Sequence, residues 1–437
     1  MTPLPGTSPS AAAVDASSID TVVIGSGVSG LTAAYLLATR TSQRVVLLEA
    51  DSRAGGHAHT HDLRADDGSP MGVDSGFIVH NERTYPTLIR IFRELGVSTQ
   101  PTDMSLSVSC EGCGLVWLGG QGAGPVFAQR RRLADPRFLA MLLQVPRFHR
   151  AARAVLRDGG DGLTWGEFLR RGRYGQYFID HFAVPLVSCV WSASGEDALD
   201  YPARYLFSFL DNHGMLSVGG SPQWRSIVGG SRRYVDAIVE RVGDVRLNAA
   251  VASVRRHDDH VEVVTATGER LRARQAIIAT HADQALRMLV DATPGEAADL
   301  AAIRYSRNET VLHHDESVLP SSRTAWACWN YRASTCGGDG DAVAVSYAMN
   351  LLQSLPSSTQ HVVTLNPQHP IAPDKVVATM TYEHPIYTRE SVAAATRLRD
   401  AGGPRLAFAG AHLGWGFHED GALSGLRAAE KFGLTWS

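Results

Sequence analysis

A glycine-rich turn near the N-terminus separates a strand-like run from a helix-like run. Residues 21–24 (TVVI) are mostly β-branched, residues 25–30 read GSGVSG, and residues 31–37 (LTAAYLL) have helical spacing. This strand–turn–helix context is the one that the GxGxxG dinucleotide fingerprint requires, because glycine lets the backbone approach a pyrophosphate. The helix N-terminus adds unpaired N–H groups and a partial positive charge. Taken alone, the turn also fits an ordinary βαβ unit.

An acid follows the next strand-like run, and a second glycine pair follows the acid. Residues 45–48 (VVLL) lead into Glu49, 24 residues after Gly25, and residues 53–56 read RAGG. A carboxylate in this place accepts hydrogen bonds from a ribose hydroxyl and repels a 2′-phosphate. The sequence therefore predicts a site for an adenine dinucleotide without that phosphate.

Composition excludes several classes of protein. The net charge of −3 provides no excess of cations to displace the counterions of a nucleic acid. No window approaches the run of about 18 apolar residues that a membrane-spanning helix needs. Residues 1–19 are rich in Ala, Ser and Pro without Lys or Arg, so we expect a disordered tail and not a secretory signal. The five cysteines, an odd number, are typical of a cytoplasmic protein with reduced thiols.

Two of the cysteines, Cys110 and Cys113, have the spacing of a zinc or redox pair. A zinc site needs two further ligands, and no partner pair is evident in the sequence. The flanking runs, residues 106–108 and 115–117, resemble strands, so the pair is predicted to lie at a hairpin tip. No metal site is expected.

Segments typical of nucleotide-binding domains alternate with segments of other character. Strand-like and helix-like runs return between residues 226 and 300, and the chain ends in a strand-like run (residues 405–409), a glycine-rich turn and a helix predicted from Ala422. The fold class predicted is α/β, with a Rossmann-like domain interleaved with an α+β substrate domain. The predicted nucleotide-binding domain comprises residues 20–80, 226–300 and 400–437, and the predicted substrate domain comprises residues 81–225 and 301–399.

These three blocks together resemble the superfamily of FAD-dependent amine oxidases and phytoene desaturases, in which an Arg-x-Gly-Gly turn follows the acid of the second strand. The closer likeness is to bacterial flavoproteins described as predicted NAD/FAD-binding proteins, often encoded beside cyclopropane-fatty-acid-synthase-like methyltransferases. It runs from about residue 20 to the C-terminus and is carried by residues 55–60 (GGHAHT), 76–79 (GFIV), 81–86 (NERTYP), 329–331 (WNY) and 416–421 (GFHEDG).

The resemblance implies FAD, bound without a covalent link, as the cofactor. By this likeness Gly25, Gly27 and Gly30 hold the pyrophosphate, and Glu49 binds the adenosine ribose. The complete set of predicted cofactor-binding residues is Gly25, Gly27, Ser29, Gly30, Glu49, Arg53, Gly55, Gly56, His57, Val251, Gly410, Asp420, Gly421 and Ser424.

The same resemblance assigns the remaining contacts. Arg53 and Gly56 would approach the pyrophosphate or the ribityl chain, and the backbone of Val251 would contact the adenine. Asp420 and Gly421 would lie near the ribityl chain and the flavin ring, with Ser424 beside them.

The sequence departs from the amine oxidases at two places. Residues 308–312 (NETVL) lack the lysine that amine oxidases commonly place behind the flavin, and Gly410 is followed by alanine instead of glutamate. Both departures weaken an assignment as an amine oxidase, and neither affects the nucleotide contacts.

With FAD bound, the expected reaction is hydride transfer from an apolar, lipid-like substrate such as a fatty acyl or isoprenoid chain. His57 and His418 are the candidate catalytic residues, because histidine titrates near neutrality and both lie in glycine motifs. Two alternatives remain open: a flavin-dependent isomerase of lipid double bonds, and a flavoprotein that binds a lipid or a partner without turnover. The aromatic residues proposed to line the substrate site are Trp191, Phe207, Phe209, Trp326, Trp329, Tyr331 and Tyr347.

Residues 130–157 contain eight arginines and a single acid, interleaved with apolar residues. Such a segment can lie on an anionic membrane surface, or it can form a solvated helix face. The gene neighbourhood of the resembling proteins adds a methyltransferase as a candidate partner.

Overall fold

The computed structural model describes residues 19–119, 126–159, 162–191, 195–217, 221–337 and 344–436. Apart from Ile19, the predicted N-terminal tail lies outside these ranges. Ile19 is the first residue of a strand, so the tail was predicted one residue too long.

The described residues form nineteen strands. They are β1 Ile19–Ile24, β2 Val45–Leu48, β3 Thr60–Arg64, β4 Pro70–Asp74, β5 Val79–Asn81, β6 Thr99–Thr102, β7 Leu106–Cys110, β8 Leu115–Gly119, β9 Trp224–Ile227, β10 Val245–Arg246, β11 Val251–Arg256, β12 Val261–Thr265, β13 Arg270–Ile278, β14 Tyr305–His313, β15 Trp329–Ala333, β16 Ala344–Ala348, β17 Val362–Leu365, β18 Val376–Pro385 and β19 Leu406–Phe408.

The α-helices of the described residues lie between and around these strands. They are α1 Val28–Arg40, α2 Pro86–Leu95, α3 Pro136–Arg157, α4 Trp165–Arg171, α5 Gln176–Phe178, α6 Val184–Trp191, α7 Gly195–Asp200, α8 Ala203–Asn212, α9 Arg232–Val242, α10 Ala282–Met288, α11 Pro294–Ala302, α12 Met349–Gln353, α13 Arg389–Leu398 and α14 His418–Lys431. A π-helical turn, Ile179–Ala183, joins α5 to α6. Short 3₁₀ turns occupy Arg130–Ala134, Glu316–Val318, Arg323–Ala325, Pro373–Lys375 and Ala411–Leu413.

The first large sheet has a parallel core in the order β10-β2-β1-β13-β19. Strands β12 and β11 extend it as an antiparallel meander from the N-terminal half of β13. Residues 22–24 and 45–48 are buried on both faces of the sheet, which explains their continuous β-branched and aliphatic runs. This is the Rossmann-like sheet that the sequence predicts.

The second large sheet is mixed, in the order β18-β14-β17-β16-β15-β7-β8. Two smaller sheets, β3-β4 and β5-β9-β6, complete the strand pairing of the described residues. Helices α3 to α8 pack against the β7, β8 and β15 part of the mixed sheet through an aromatic-rich core that includes Phe148, Trp165 and Phe207.

Two helices differ from the sequence prediction. Helix α2 lies in a segment predicted for the substrate domain, yet its Leu88, Ile91 and Phe92 are buried in the core that surrounds α1. Helix α14 begins at His418, four residues before the predicted start at Ala422. The division into domains otherwise stays a prediction.

Gly421 and Gly425 lie inside α14, where they allow close packing against α1 and do not form a turn. A Cβ atom on Gly425 would lie 2.2 Å from the carbonyl oxygen of Ser29 in α1, and one on Gly421 would lie 2.5 Å from Val28 Cγ1. The two glycines therefore allow α1 and α14 to cross in close contact. In the described part of the chain, every helix is too short or too polar to cross a lipid bilayer.

Candidate active site

The larger of two joined cavities lies at the carboxyl ends of the parallel strands and has a volume of about 640 Å³. Ile24 and Leu48, which end β1 and β2, line it together with Ala279 after β13 and Gly410 after β19. Ligands of open α/β sheets bind at this edge, where consecutive strands deliver their loops to one crevice.

The N-terminus of α1 opens directly into this cavity. The N-cap is Gly27, no side chain caps the helix, and no acid occupies its first turn. A Cβ on Gly27 would meet no protein atom within 4 Å, whereas one on Gly30 would lie 1.8 Å from the carbonyl oxygen of Gly25. Gly25 has a φ of +96°, which side chains rarely tolerate. The turn therefore presents free N–H groups and a positive helix end to an anion.

Glu49 is held in place beside this turn. Its Oε2 atom accepts hydrogen bonds from Ser26 N at 2.7 Å and from Ser26 Oγ at 2.5 Å, and its Oε1 atom accepts from Asp51 N at 2.9 Å. The carboxylate lines the cavity in a fixed orientation.

The RAGG turn forms the neighbouring wall. The Arg53 guanidinium donates to the carbonyl oxygen of Gly56 at 2.7 Å and thereby shapes its own loop. A Cβ on Gly56 would lie 3.1 Å from Gly27 Cα, so the two glycine motifs meet at the mouth of the cavity. Among the described residues, Arg53 and Gly56 are the members of this turn that line the cavity.

The second cavity has a volume of about 270 Å³ and lies against the mixed sheet and helices α6 and α8. Its walls are mainly aliphatic and aromatic, and include Leu186, Val190, Trp191, Phe209 and Trp329. Six residues line both cavities and mark the place where they join: His57, Tyr382, His384, Pro385, Gly416 and His418.

No Asp, Glu, Lys or Arg lines the second cavity among the residues that the structure describes. The histidines of its wall are kept neutral by burial, which lowers the pKa of His418 to about 3 and the pKa values of His213 and His384 to about 4. Burial also lowers the pKa of His57 well below its usual value. At neutral pH this cavity therefore carries no formal charge.

The two histidines predicted to be catalytic lie at the junction, but not with the near-neutral pKa values on which the prediction relied. The His418 ring stacks on Phe77 with ring centroids 3.8 Å apart, and its buried Nε2 has no hydrogen-bond partner among the described residues. The His57 ring stands edge-on to Tyr382, at 4.9 Å between centroids, and to His384, at 5.5 Å. Their catalytic role stays a prediction.

The structure brings most of the predicted cofactor residues to the larger cavity, and the others lie behind its wall. Those that line it are Gly25, Gly27, Ser29, Glu49, Arg53, Gly56, His57, Val251 and Gly410. Those that do not are Gly30, Gly55, Asp420, Gly421 and Ser424.

Asp420, Gly421 and Ser424, the three C-terminal residues of the second group, make contacts within the protein. Asp420 Oδ2 accepts from Phe417 N at 3.0 Å at the start of α14, and Ser424 Oγ accepts from Gly410 N at 3.0 Å. Gly421 faces α1. The physical reason for Asp420 and Gly421 is the early start of α14, which places both in its first turn instead of in a loop. Ser424 lies within the predicted helix, and its hydroxyl is bound by Gly410 N.

Sequence reasoning missed the wall contributed by β18. Tyr382 and His384 are two residues apart on this strand and project to the same side, which is the period-2 signal that could have found them. It also missed Glu419, whose carboxylate accepts from Thr87 N at 2.9 Å and from Leu88 N at 3.0 Å and so caps α2. Glu419 resembles a cofactor-motif residue in sequence but has a structural role.

The aromatic residues proposed for the substrate site divide into two groups. Trp191, Phe209, Trp329 and Tyr347 line the second cavity. Phe207 and Tyr331 are buried in the helical core instead, and Trp326 donates from Nε1 to the carbonyl oxygen of Pro320 at 2.7 Å.

The larger cavity suits FAD on two independent observations. The uncapped α1 N-terminus and the space beside Gly27 accommodate a pyrophosphate. The unpartnered Nε2 of His418 lies at the far end, where the cavity meets the apolar one. A dinucleotide lying across the strand ends would therefore bring its ring to the junction.

Comparison with known proteins agrees with this arrangement. The model of the flavin-containing amine oxidoreductase family matches residues 28–313, well over half of the chain. The flavin-containing amine oxidase A of Canis lupus familiaris is 26% identical over 275 residues, which cover 60% of this chain and 49% of that relative.

Two solved structures show the same fold at low sequence identity. The cyclohexylamine oxidase from Brevibacterium oxydans has a TM-score of 0.67 at 18% identity, covering 94% of this chain and 98% of its own. A fatty acid isomerase from P. acnes that produces CLA has a TM-score of 0.67 at 14% identity, covering 95% and 99%.

Proposed function

Because the chain belongs to the flavin-containing amine oxidoreductase family and is an FAD-dependent oxidoreductase, we propose that it oxidises an apolar, lipid-like substrate. The observation that carries this proposal is the uncharged second cavity next to the cofactor site. The hydrocarbon part of a fatty acyl or isoprenoid chain needs no hydrogen-bond partner in such a cavity. A protonated amine would lose its hydration there without gaining a counter-ion.

The lysines give a second reason to prefer an apolar substrate. Both lysines of the chain have partners elsewhere: Lys375 pairs with Asp315 at 3.0 Å, and Lys431 donates to the carbonyl oxygen of Ala401 at 2.6 Å. Neither lines a cavity among the described residues. The lysine that amine oxidases commonly use behind the flavin therefore has no counterpart at this junction.

We assign roles to the residues around the junction. The α1 N-terminus, Glu49 and Arg53 would hold the FAD, which when bound supplies the acceptor for a hydride. Trp191, Phe209 and the other apolar walls orient a substrate C–H bond and exclude water.

His418 Nε2 is the buried atom that we propose as a transient proton acceptor. With a pKa of about 3, its protonation at pH 7 costs about 5 kcal/mol, at roughly 1.4 kcal/mol per pH unit. The ring is therefore neutral at rest, and it would accept a proton only against this cost.

Anaerobic mixing of the FAD-loaded protein with unsaturated fatty acids, isoprenoid alcohols and amines tests the proposal. We expect lasting loss of the flavin's visible absorbance with one of the lipids and none with cyclohexylamine or putrescine. A rearranged lipid product without net reduction of the flavin would instead identify a lipid double-bond isomerase. If no lipid changes the flavin absorbance or is converted to a product, a non-catalytic binding protein would be favoured. Reduction by an amine would refute the proposed substrate class.

A charged substitution in the cavity sharpens this test. Val190 lines the apolar cavity, and Val228 is exposed and does not line it. Val190→Asp should abolish reduction by the lipid, because the added carboxylate must be desolvated when the chain binds. Val228→Asp should leave it unchanged.

We also propose that α3 and the preceding turn contact an anionic membrane surface. Leu133, Leu139 and Leu143 have exposed fractions of 56%, 37% and 78%, and arginines lie among them. Exposed leucines next to arginines favour this over a solvated helix face. Helix α3 packs on α8, whose Phe209 lines the apolar cavity. The methyltransferase partner and the cytoplasmic location stay predictions.

A further inference from the structure

A cluster of thiols and an imidazole lies outside both cavities. We call it the Cys₃His cluster, and its members are Cys110, Cys113, His181 and Cys336. Their Sγ atoms and one ring nitrogen all lie within 4.8 Å of one another. The sequence shows no partner pair for Cys110 and Cys113, whereas the structure places His181 and Cys336 beside them. The predicted placement of the pair at a hairpin tip is confirmed: residues 111–114 form the turn between β7 and β8.

We propose that the Cys₃His cluster binds one zinc ion as a structural site. In a tetrahedral site, Zn–S bonds of about 2.3 Å place sulfur atoms roughly 3.8 Å apart, and Zn–N bonds of about 2.05 Å place sulfur and nitrogen roughly 3.6 Å apart. The structure has Cys110 Sγ and Cys336 Sγ at 3.8 Å, and Cys113 Sγ and His181 Nε2 at 3.6 Å. Both separations match the edges of a zinc tetrahedron.

The ligand atoms of the Cys₃His cluster indicate which metal it would bind and whether the site would be structural or catalytic. Three thiolates and one imidazole are soft and borderline ligands, which suit zinc and disfavour magnesium or calcium. Four protein ligands fill a tetrahedron and leave no position for water or substrate, as in structural zinc sites. Zinc would replace three thiol protons, and the site would carry one net negative charge.

The backbone around the cluster is already fixed by hydrogen bonds. Strands β7 and β15 pair in parallel with Cys110 opposite Ala333, so Cys113 and Cys336 each lie three residues beyond a paired position. Trp117 Nε1 donates to the carbonyl oxygen of His181 at 3.1 Å and orients the π-helical turn. π-helical turns occur frequently at functional sites.

The Arg132 guanidinium lies beside the hairpin tip of the cluster. Arg132 Nη2 donates to the carbonyl oxygen of Cys113 at 3.0 Å, and its Nη1 pairs with Asp135 at 2.7 Å. The guanidinium stabilises nearby thiolates less than an unpaired cation would, because Asp135 balances its charge.

Two of the segments that carry the cluster, β7 and the π-helical turn, continue into the wall of the apolar cavity. Leu106, at the other end of β7, lines that cavity, four residues or about 13 Å along the strand from Cys110. Helix α6 follows the π-helical turn directly and contributes Leu186, Val190 and Trp191 to the cavity wall. A zinc ion at the cluster would therefore hold the start of α6 against the sheet and fix the shape of the substrate site.

Metal analysis of the full-length protein, purified under reducing conditions without chelator, tests the inference. We expect about one zinc per chain, whether or not FAD is bound, and the intense visible bands of tetrahedral, thiolate-bound Co²⁺ after cobalt exchange. Cys113→Ser and Cys336→Ser should lower the zinc content at least tenfold. Cys328→Ser provides the matched control, because Cys328 is a buried cysteine outside the cluster and both cavities.

Further outcomes separate a metal site from other uses of the thiols. His181→Cys should retain zinc, since four thiolates also form a tetrahedral site, whereas His181→Ala should lose it. A strong chelator should lower the thermal midpoint of the wild type and leave that of Cys336→Ser unchanged. Wild type that contains no zinc and does not take zinc from a chromophoric chelator would overturn the proposal, as would a disulfide between two cluster cysteines in protein handled without air.

Discussion

Replacing Gly27 with alanine should separate cofactor binding from folding. Gly27 has φ −63° and ψ 173°, which alanine adopts without strain, and its added methyl would meet no protein atom within 4 Å. The methyl would instead enter the space where the pyrophosphate approaches the helix. Overpacking at a close contact typically costs about 1–3 kcal/mol, which corresponds to a roughly 5- to 150-fold weaker Kd for FAD.

Two measurements check this expectation. Fluorescence titration of the apoprotein with FAD gives the Kd, and urea denaturation of the apoprotein gives the free energy of unfolding, which should match the wild type. Gly30→Ala is the contrasting variant, since its Cβ would lie 1.8 Å from the carbonyl oxygen of Gly25 and should destabilise the apoprotein itself. Wild-type FAD affinity in Gly27→Ala, or equal destabilisation of both variants, would refute this account of the turn.

Three further predictions concern stability and surface contact. Because burial lowers the pKa of His418 to about 3, the unfolded chain binds one more proton below pH 6.5, so stability is lost as the pH falls. Between pH 6.5 and 5 the wild type should lose about 1.6 kcal/mol more than His418→Phe in urea denaturation, and parallel pH profiles would contradict this. Glu419→Ala should destabilise the apoprotein by about 0.5–2 kcal/mol through loss of the α2 cap, with an unchanged urea midpoint counting against it. Leu143→Glu should weaken co-sedimentation with anionic vesicles, whereas the exposed Leu351→Glu should not; equal effects of both would exclude α3 as the contact.

Local signals were sufficient for the Rossmann-like half of the molecule. The buried runs of β1 and β2, the glycine turn and Glu49 lie close together in sequence, and each has a distinct physical signature. Their positions in the structure follow directly from strand order and from the free N-terminus of α1.

Contacts between distant segments could not be predicted. His181 and Cys336 lie 68 and 226 residues from the cysteines that they approach, so spacing along the chain gives no signal for the cluster. The sequence places Gly421 in a loop, because only the crossing with α1 shows why a helix needs glycine there. Aromatic residues of the core and of the cavity wall are the same residue types. Only the structure therefore shows that Phe209 lines the cavity and that Phe207 does not.

The crossing of α1 and α14 also has a consequence for synthesis on the ribosome. Strand β19 completes the parallel sheet beside β13, and Gly410, Gly416 and His418 form part of the cavity wall. During translation the first glycine turn emerges nearly four hundred residues before its last neighbours. A nascent chain therefore cannot retain the nucleotide in a finished pocket until α14 has left the exit tunnel, so the vitamin-derived cofactor is retained only after this late helix has folded.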